Sequence, residues 1–437
     1  MTDSEVPYSP GQRAQWSSET AFVFSMTAAT VGLGNLWRFP YMVGENGGGA
    51  FIVAYLIALV LVALPTMMME VGIGRLVQGS VVGTFRTVKR FGNLYGWFVV
   101  MLTIAITSYY LVITGWTMGY AVSAFCMAVQ PFDDFTGGYN SLWYFFAVTV
   151  LATAVLIRGV SAIEKLSKIL MPVLVLMIIG IVISAARMDG WEEARSFMFV
   201  ADYSHLKSPT IWLFAFGQAF YTLAIGQGYL ITYGSYIPQQ TNIPRACLIV
   251  TGTETSIALL AGFMIFPFVF TYGFDPGAGS QLAFETLPRV FDEMEHGGWL
   301  AMGFFSLFFA AAFSSCLAGL KVIIAAFSEE FRMGNLRSVL AVGCLMIFLG
   351  VPSALSFSPV NLQVMGMPFL DFMDQFGGTN MVVASGIMGA GLVCWFVPRP
   401  RIAQALGAKS RWWEFKIYVI GRSLPLLAAF FILWNIL

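Results

Sequence analysis

The sequence predicts an all-α integral membrane protein of 11 transmembrane helices, built as two five-helix repeats of inverted orientation followed by one further helix. Three observations carry that expectation. Hydrophobic residues make up 58% of the 437 and charged residues only 11%, a balance far from that of water-soluble domains. Apolar runs of about 20 residues, each enough to cross a hydrocarbon core roughly 30 Å thick, recur along the whole chain. The first and the sixth of these runs are both interrupted at mid-depth, as corresponding helices of two repeats would be around one central site.

The first interruption lies in TAATVGLGNLWRFPY, Thr27 to Tyr41. Gly32 and Gly34 flank Leu33, Asn35 follows, and Arg38 and Pro40 come within one further turn. Unwound backbone at membrane depth persists only where it lines a protein-enclosed or watery cavity, because lipid cannot satisfy free N–H and C=O groups. A half-helix N-terminus attracts an anion and exposed carbonyls attract a cation, so one broken helix can hold a zwitterion beside a metal ion. A kinked but continuous helix with packing glycines is the alternative for this stretch alone. The sixth run, IWLFAFGQAFYTLAIGQGYLITYGSY, favours the break by carrying Gln218, Thr222, Gly226, Gln227 and Gly228 in its middle.

In order, the runs occupy 20–43, 50–75, 94–127, 142–158, 168–187, 210–236, 245–273, 299–330, 336–356, 367–397 and 413–435, and are numbered as spans one to eleven. Gaps with Arg75, Arg86, Lys89 and Arg90, with Arg158, Lys165 and Lys168, and with Arg399, Arg401, Lys409 and Arg411 alternate with acidic gaps holding Asp133, Asp134, Glu192, Glu193 and Asp275. The positive-inside rule then predicts a multi-pass protein of the plasma (inner) membrane, N-terminus cytoplasmic and C-terminus extracytoplasmic. The expected division is a cytosolic tail at 1–19, a first repeat at 20–187, an outer loop at 188–209, a second repeat at 210–397, and a loop with the eleventh helix at 398–437. The halves share no clear residue identity, so the repeat rests on the breaks and on counting spans. The tail lacks the basic and apolar regions of a cleavable signal. Cys126, Cys247, Cys316, Cys344 and Cys394 have no pairing or metal-ligand spacing and read as small core residues. A formal net charge of +0 offers nothing to nucleic acid. An enzyme has little support: His205 and His296 fall in outer loops, and no HExxH, nucleophile elbow or phosphate-binding glycine loop occurs.

Further motifs fill in the pattern. ENGGGAF at Glu45 to Phe51 enters span two, and Met69-Glu70 with Gly74-Arg75 ends it. Tyr109 to Tyr120 carries YY..ITGWTMGY, followed by GQAFYTL at Gly217 to Leu223, ITYGSY at Ile231 to Tyr236 and AAFSS at Ala311 to Ser315. With VGLGNLWRFPY in span one, these resemble the neurotransmitter:sodium symporters, and a bacterial member in particular, over nearly the whole chain. Many members have a twelfth span where this chain stops after the eleventh. The resemblance implies sodium-coupled symport of an amino acid or related zwitterion by alternating access, with no catalytic residues. A non-transporting sensor on the same fold is the alternative, since fold does not fix function.

Sodium is a hard cation that takes several oxygen ligands. By resemblance one Na+ site uses Thr30, Asn35, Thr222, Glu254 and the substrate's own carboxylate. The other uses Ala28, Val31 and Ala311 carbonyls with the Ser314 and Ser315 hydroxyls. Such hydroxyls, taken alone, often bond to a carbonyl one turn back instead. Substrate contacts are implied for Ala29, Thr30, Leu33, Gly34, Ile106, Tyr110, Tyr221, Thr222, Ala224, Gln227, Ser315 and Gly319. Tyr110 and Tyr221 would otherwise read as aromatic core. Gln227 and Gly319 stand where leucine-transporting bacterial members are apolar and bulkier, which leaves room for a larger or more polar side chain. Arg38 and Asp374 are implied as an outer gate above a Tyr110 and Tyr221 lid; Arg13, Glu329, Trp16, Ser235 and Tyr236 are implied as the inner one.

Glu254, in TGTETSIALLAGF, departs from animal members, which carry Asn there and a Ser one turn later; here that later residue is Ala258. A buried intramembrane carboxylate is functional by default. Ionised, it would do the work of chloride, so no chloride is expected; protonated, it would be a hydrogen-bonded core residue.

Overall fold

The computed structural model describes residues 15–200, 202–238, 240–277, 284, 287–293, 297–406 and 411–436. Among them, eight helices are long and apolar enough to cross a membrane: Gly49–Val77, Gly92–Phe125, Asn140–Ile157, Val160–Ala185, Ile243–Thr271, Gly297–Glu330, Asn335–Ala354 and Phe369–Phe396. These occupy spans two to five and seven to ten. Spans one and six fall outside that set because each is divided. Glu19–Thr30 is followed by a π-helical turn, Gly34–Arg38, and by Phe39–Glu45. Pro209–Thr222 is followed, after a turn, by Tyr229–Gly234. Helix Arg411–Ile436 covers span eleven.

Packing follows burial. Of an apolar 18-residue stretch in each helix, 89% is buried in span eight and 83% in span three, against 28% in span five. Spans three and eight therefore run against each other through the core, while span five presents Leu176, 69% exposed, and Ile169, 65% exposed. Apolar surface of that kind suits a hydrocarbon solvent. The first half of span one packs on spans five, seven and eight, and both halves of span six pack on span two. The second of these contacts needs glycine: a Cβ on Gly234 would lie 2.5 Å from the Val71 carbonyl oxygen.

Several details correct the sequence expectation. The break in span one is short, since only Val31 and Gly32 leave the helix and Asn35 already lies in the next turn. The helix of span five starts at Val160 rather than 168, because its polar first turns stay helical, tied by Glu164 and Lys168 one turn apart at 2.6 Å. Span two contains a π-turn, Leu59–Ala63, ahead of Pro65, which has no N–H to give and would collide with a regular helical carbonyl. Span ten has another, Asp374–Met381, around Gly377 and Gly378. A two-residue hairpin, Gln363–Val364 with Met367–Pro368, interrupts the otherwise helical chain just before span ten. Its turn residues Met365 and Gly366 both have positive φ, 53° and 81°.

Candidate functional site

At the break in span one, Val31 is extended at φ −79° and ψ 105°. The Gly32 N–H donates to Asn35 Oδ1 at 3.2 Å and the Leu33 N–H to the Tyr110 hydroxyl at 3.0 Å. Gly34's carbonyl accepts from Gln218 Nε2 at 2.9 Å. Side chains of spans three and six thus replace helical bonds that lipid could not supply. Tyr110, implied as a substrate contact, thus sits directly against the amide of Leu33, another implied contact.

Span six unwinds from Leu223 to Gly228, with positive φ at Ala224 (54°), Gly226 (75°) and Gly228 (77°). Its free backbone is met from three other spans. Gly226 N–H donates to Glu70 Oε1 at 3.0 Å, its carbonyl accepts from Ser385 Oγ at 2.6 Å, and the Gln227 carbonyl accepts from Thr103 Oγ1 at 2.7 Å. Polar side chains inside a membrane protein are expensive unless satisfied, and these satisfy the break.

The two breaks face a small cavity. Ala29, Thr30, Gly34, Ile106, Tyr110, Tyr221, Thr222, Ala224, Gln227 and Ser315 line it, together with Gly32 and Tyr229. Leu33 and Gly319 do not. A Cβ on Gly319 would come within 2.5 Å of the Tyr229 hydroxyl and 2.6 Å of Thr107 Oγ1. The room that Gly319 leaves is therefore taken by the protein's own tyrosine, and does not extend the cavity as its small size suggested.

Beside the cavity Glu254 is fully buried. Its Oε1 accepts from Asn35 Nδ2 and from the Thr222 hydroxyl, while Oε2 accepts from Thr255 Oγ1 at 3.2 Å and lies 3.5 Å from the Tyr55 hydroxyl. Among the described residues it makes no ion pair. Spans one, six and seven thus bring a carboxylate, an amide and a hydroxyl to one point, a donor set that fits a hard monovalent cation. The Thr30 hydroxyl turns back to the Met26 carbonyl at 3.1 Å, leaving only its own carbonyl for such a role.

The second group of oxygens is partly gathered. Ser314 Oγ lies 2.9 Å from both the Ala28 and the Ala311 carbonyl oxygens. Ser315 Oγ donates instead to the Ala29 carbonyl at 2.9 Å and lines the cavity. Val31's N–H is spent on Thr27 at 2.7 Å, and its extended conformation turns the chain away after it.

Above the cavity, Arg38 donates to Gln218 Oε1 at 2.9 Å, and its guanidinium lies over the Tyr221 ring, 4.7 Å from the centroid. Asp374 Oδ1 accepts from the Tyr109 hydroxyl at 2.8 Å. Tyr109, which the resemblance did not name, is thus a tyrosine that meets Asp374. A Cβ on Gly378 would sit 2.7 Å from Asp374 Oδ1 and 3.4 Å from the Tyr221 ring, so Gly378 lies between the acid and that ring. Below the cavity, Trp16 is buried. Its N–H donates to the Tyr236 carbonyl at 2.9 Å and its indole to the Tyr233 carbonyl at 3.0 Å. Lys321 Nζ lies 5.6 Å from the Tyr236 ring centroid. Ser235 Oγ donates to Thr232 at 2.5 Å, and Glu329 Oε2 accepts from the Ser80 N–H at 2.5 Å, at the start of helix Val81–Val88. Arg13 lies outside the described residues.

Sequence reasoning passed over Gln218, Tyr109, Tyr229, Glu70, Ser385 and Thr103 as site residues. Glu70 was within reach, since the argument applied to Glu254 applies to any carboxylate in an apolar run. Gln218 marked the break in span six but not its partner Gly34, and the others carry no signal until the helices are packed.

The chain matches the Sodium:neurotransmitter symporter family over residues 13–143 and 139–436. It is 31% identical over 422 residues to an uncharacterized sodium-dependent transporter of Haemophilus influenzae, covering 91% of this chain and 92% of that one. With the sodium-dependent transporter YhdH of Bacillus subtilis it shares 32% identity over 403 residues, covering 88% and 87%. The crystal structure of MhsT in complex with L-phenylalanine superposes with a TM-score of 0.88 at 32% identity, over 95% of this chain and 98% of that one. The two broken spans, the carboxylate between them and these likenesses place the chain in the sodium:neurotransmitter symporter family, a family of transporters and not of enzymes.

Proposed function

We propose that the protein imports an amino acid, or a closely related zwitterion, together with sodium by alternating access. The observation that carries the reading is the convergence of Asn35, Thr222 and buried Glu254 where both broken spans meet the cavity. A cation held there lies beside the backbone amides that would take the substrate's carboxylate, so each ligand completes the other's site. The ammonium is left to carbonyls of spans one and six. The Arg38, Tyr221 and Asp374 layer closes the outer side, and Trp16 with Tyr233 and Tyr236 closes the inner. MhsT, whose structure holds L-phenylalanine, supports an amino-acid substrate. Eleven crossings, a five-plus-five inverted repeat, a cytoplasmic N-terminus, an extracytoplasmic C-terminus and two sodium sites complete the reading.

Glu254 also supplies a fixed negative charge, and Ala258, one turn on, offers no hydroxyl to a halide. Transport is therefore chloride-independent. The experiment is amino-acid uptake into proteoliposomes under an inward sodium gradient, with potassium or choline as the replacement cation and gluconate replacing chloride. Uptake should need sodium and persist in gluconate. Equal uptake in choline defeats symport, and collapse in gluconate defeats the role given to Glu254. Substrate binding without accumulation identifies a sensor.

A further inference from the structure

The cavity wall contributed by span six holds a polar group that the protein itself does not use. Gln227 is 4% exposed and lines the cavity. Its backbone carbonyl is taken by Thr103, but its side-chain carboxamide makes no hydrogen bond among the described residues. A carboxamide offers two donors and an acceptor, and a buried one without partners is costly. Beside it stands Tyr229, whose hydroxyl fills the space over Gly319 next to Thr107 Oγ1. None of the residues lining the cavity is charged.

We propose that the substrate's side chain is neutral and carries a carboxamide or hydroxyl of its own, which pairs with the carboxamide of Gln227. The inference rests on the amino-acid reading above and adds the class of side chain. An acidic or basic side chain would meet no opposite charge in this wall. An aliphatic or aromatic one would displace water from Gln227 and return no hydrogen bond, whereas a polar neutral one replaces the bonds it displaces. L-Phenylalanine, held by MhsT, offers no such group. Discrimination between side chains of equal shape is then on the order of tenfold to a hundredfold.

The test uses pairs of equal shape. The purified full chain is titrated in sodium, and again in potassium, with L-threonine against L-valine and with L-asparagine against L-leucine. In the wild type the polar member of at least one pair should bind about tenfold or more tighter than its apolar partner. Gln227→Met should erase that ratio while leaving binding sodium-dependent. Valine and leucine binding as tightly as threonine and asparagine overturns the proposal, even while sodium dependence upholds symport. A ratio that survives Gln227→Met overturns it as well. If that variant cannot be recovered, the wild-type ratio decides alone. Absence of binding by all four amino acids overturns this inference, and sodium-dependent binding of L-phenylalanine, titrated alongside them, upholds symport in that case.

Discussion

At the scale of single residues, Glu254 and Thr222 are the most informative pair. The Thr222 hydroxyl donates to a carboxylate that no described side chain neutralises, and Thr222 also lines the cavity. Thr222→Val keeps the shape of the side chain, removes the donor and removes a candidate sodium ligand. The expected result is a rise of roughly tenfold in the sodium concentration for half-maximal amino-acid binding, with a parallel loss of amino-acid affinity. Measured at constant ionic strength, an unchanged sodium dependence would take Thr222 out of the cation site.

At the scale of elements, the turn of span six carries the strain. Gly226 has φ 75°, and a Cβ there would lie 2.5 Å from the Gly386 nitrogen and 2.8 Å from the Val382 carbonyl oxygen, both backbone. Gly226→Ala therefore pushes spans six and ten apart. It should lower the melting temperature by several degrees and abolish amino-acid binding, whereas Gly303→Ala, in open space on span eight, should do neither. Equal behaviour of the two variants would mean that the turn is not rigid. The outer layer calls for a different outcome. Asp374→Asn preserves an oxygen for the Tyr109 hydroxyl but removes the charge that faces the Arg38 side of the cavity. Transport rate should fall much further than equilibrium binding, because closure and not ligation is impaired. Uptake and binding falling in equal measure would instead make Asp374 a substrate contact.

At the scale of the whole molecule, the two breaks make one site from two halves of the chain. Under the proposed function substrate and cation share ligands there, so each should raise the other's affinity by the same factor. The corresponding observable is thermal: sodium alone should raise the melting temperature modestly, and sodium with a bound amino acid by more than the sum of the separate shifts. Strictly additive shifts would place the two ligands at independent sites. The most buried apolar stretches are those of spans three and eight, at 83% and 89%, against 33% and 28% in spans four and five. The more exposed outer helices carry the apolar surface that suits a hydrocarbon solvent.

Local chemistry determined most of the architecture. An apolar run bounded by charge becomes a helix wherever it occurs, and glycines beside polar residues in hydrocarbon mark a break wherever they occur, so the helices and the two divided spans were legible in the chain. Glu254 was legible for the same reason, because a carboxylate in an apolar run is costly regardless of its neighbours. The sequence also determined the length of each span closely, failing where polar first turns stayed helical at Val160 and where Pro65 drew a π-turn into span two. What only the tertiary structure decided is which side chain completes each break. Gly226 meets Glu70 from 156 residues away, Gly34 meets Gln218 from 184, and Tyr109 reaches Asp374. Gly319 invited a larger substrate until packing put the Tyr229 hydroxyl in its place. A hydrogen bond needs its two groups within about 3 Å. Whether residues so far apart in the chain come that close depends on how the helices rotate and cross, a property of the packed bundle and not of either segment.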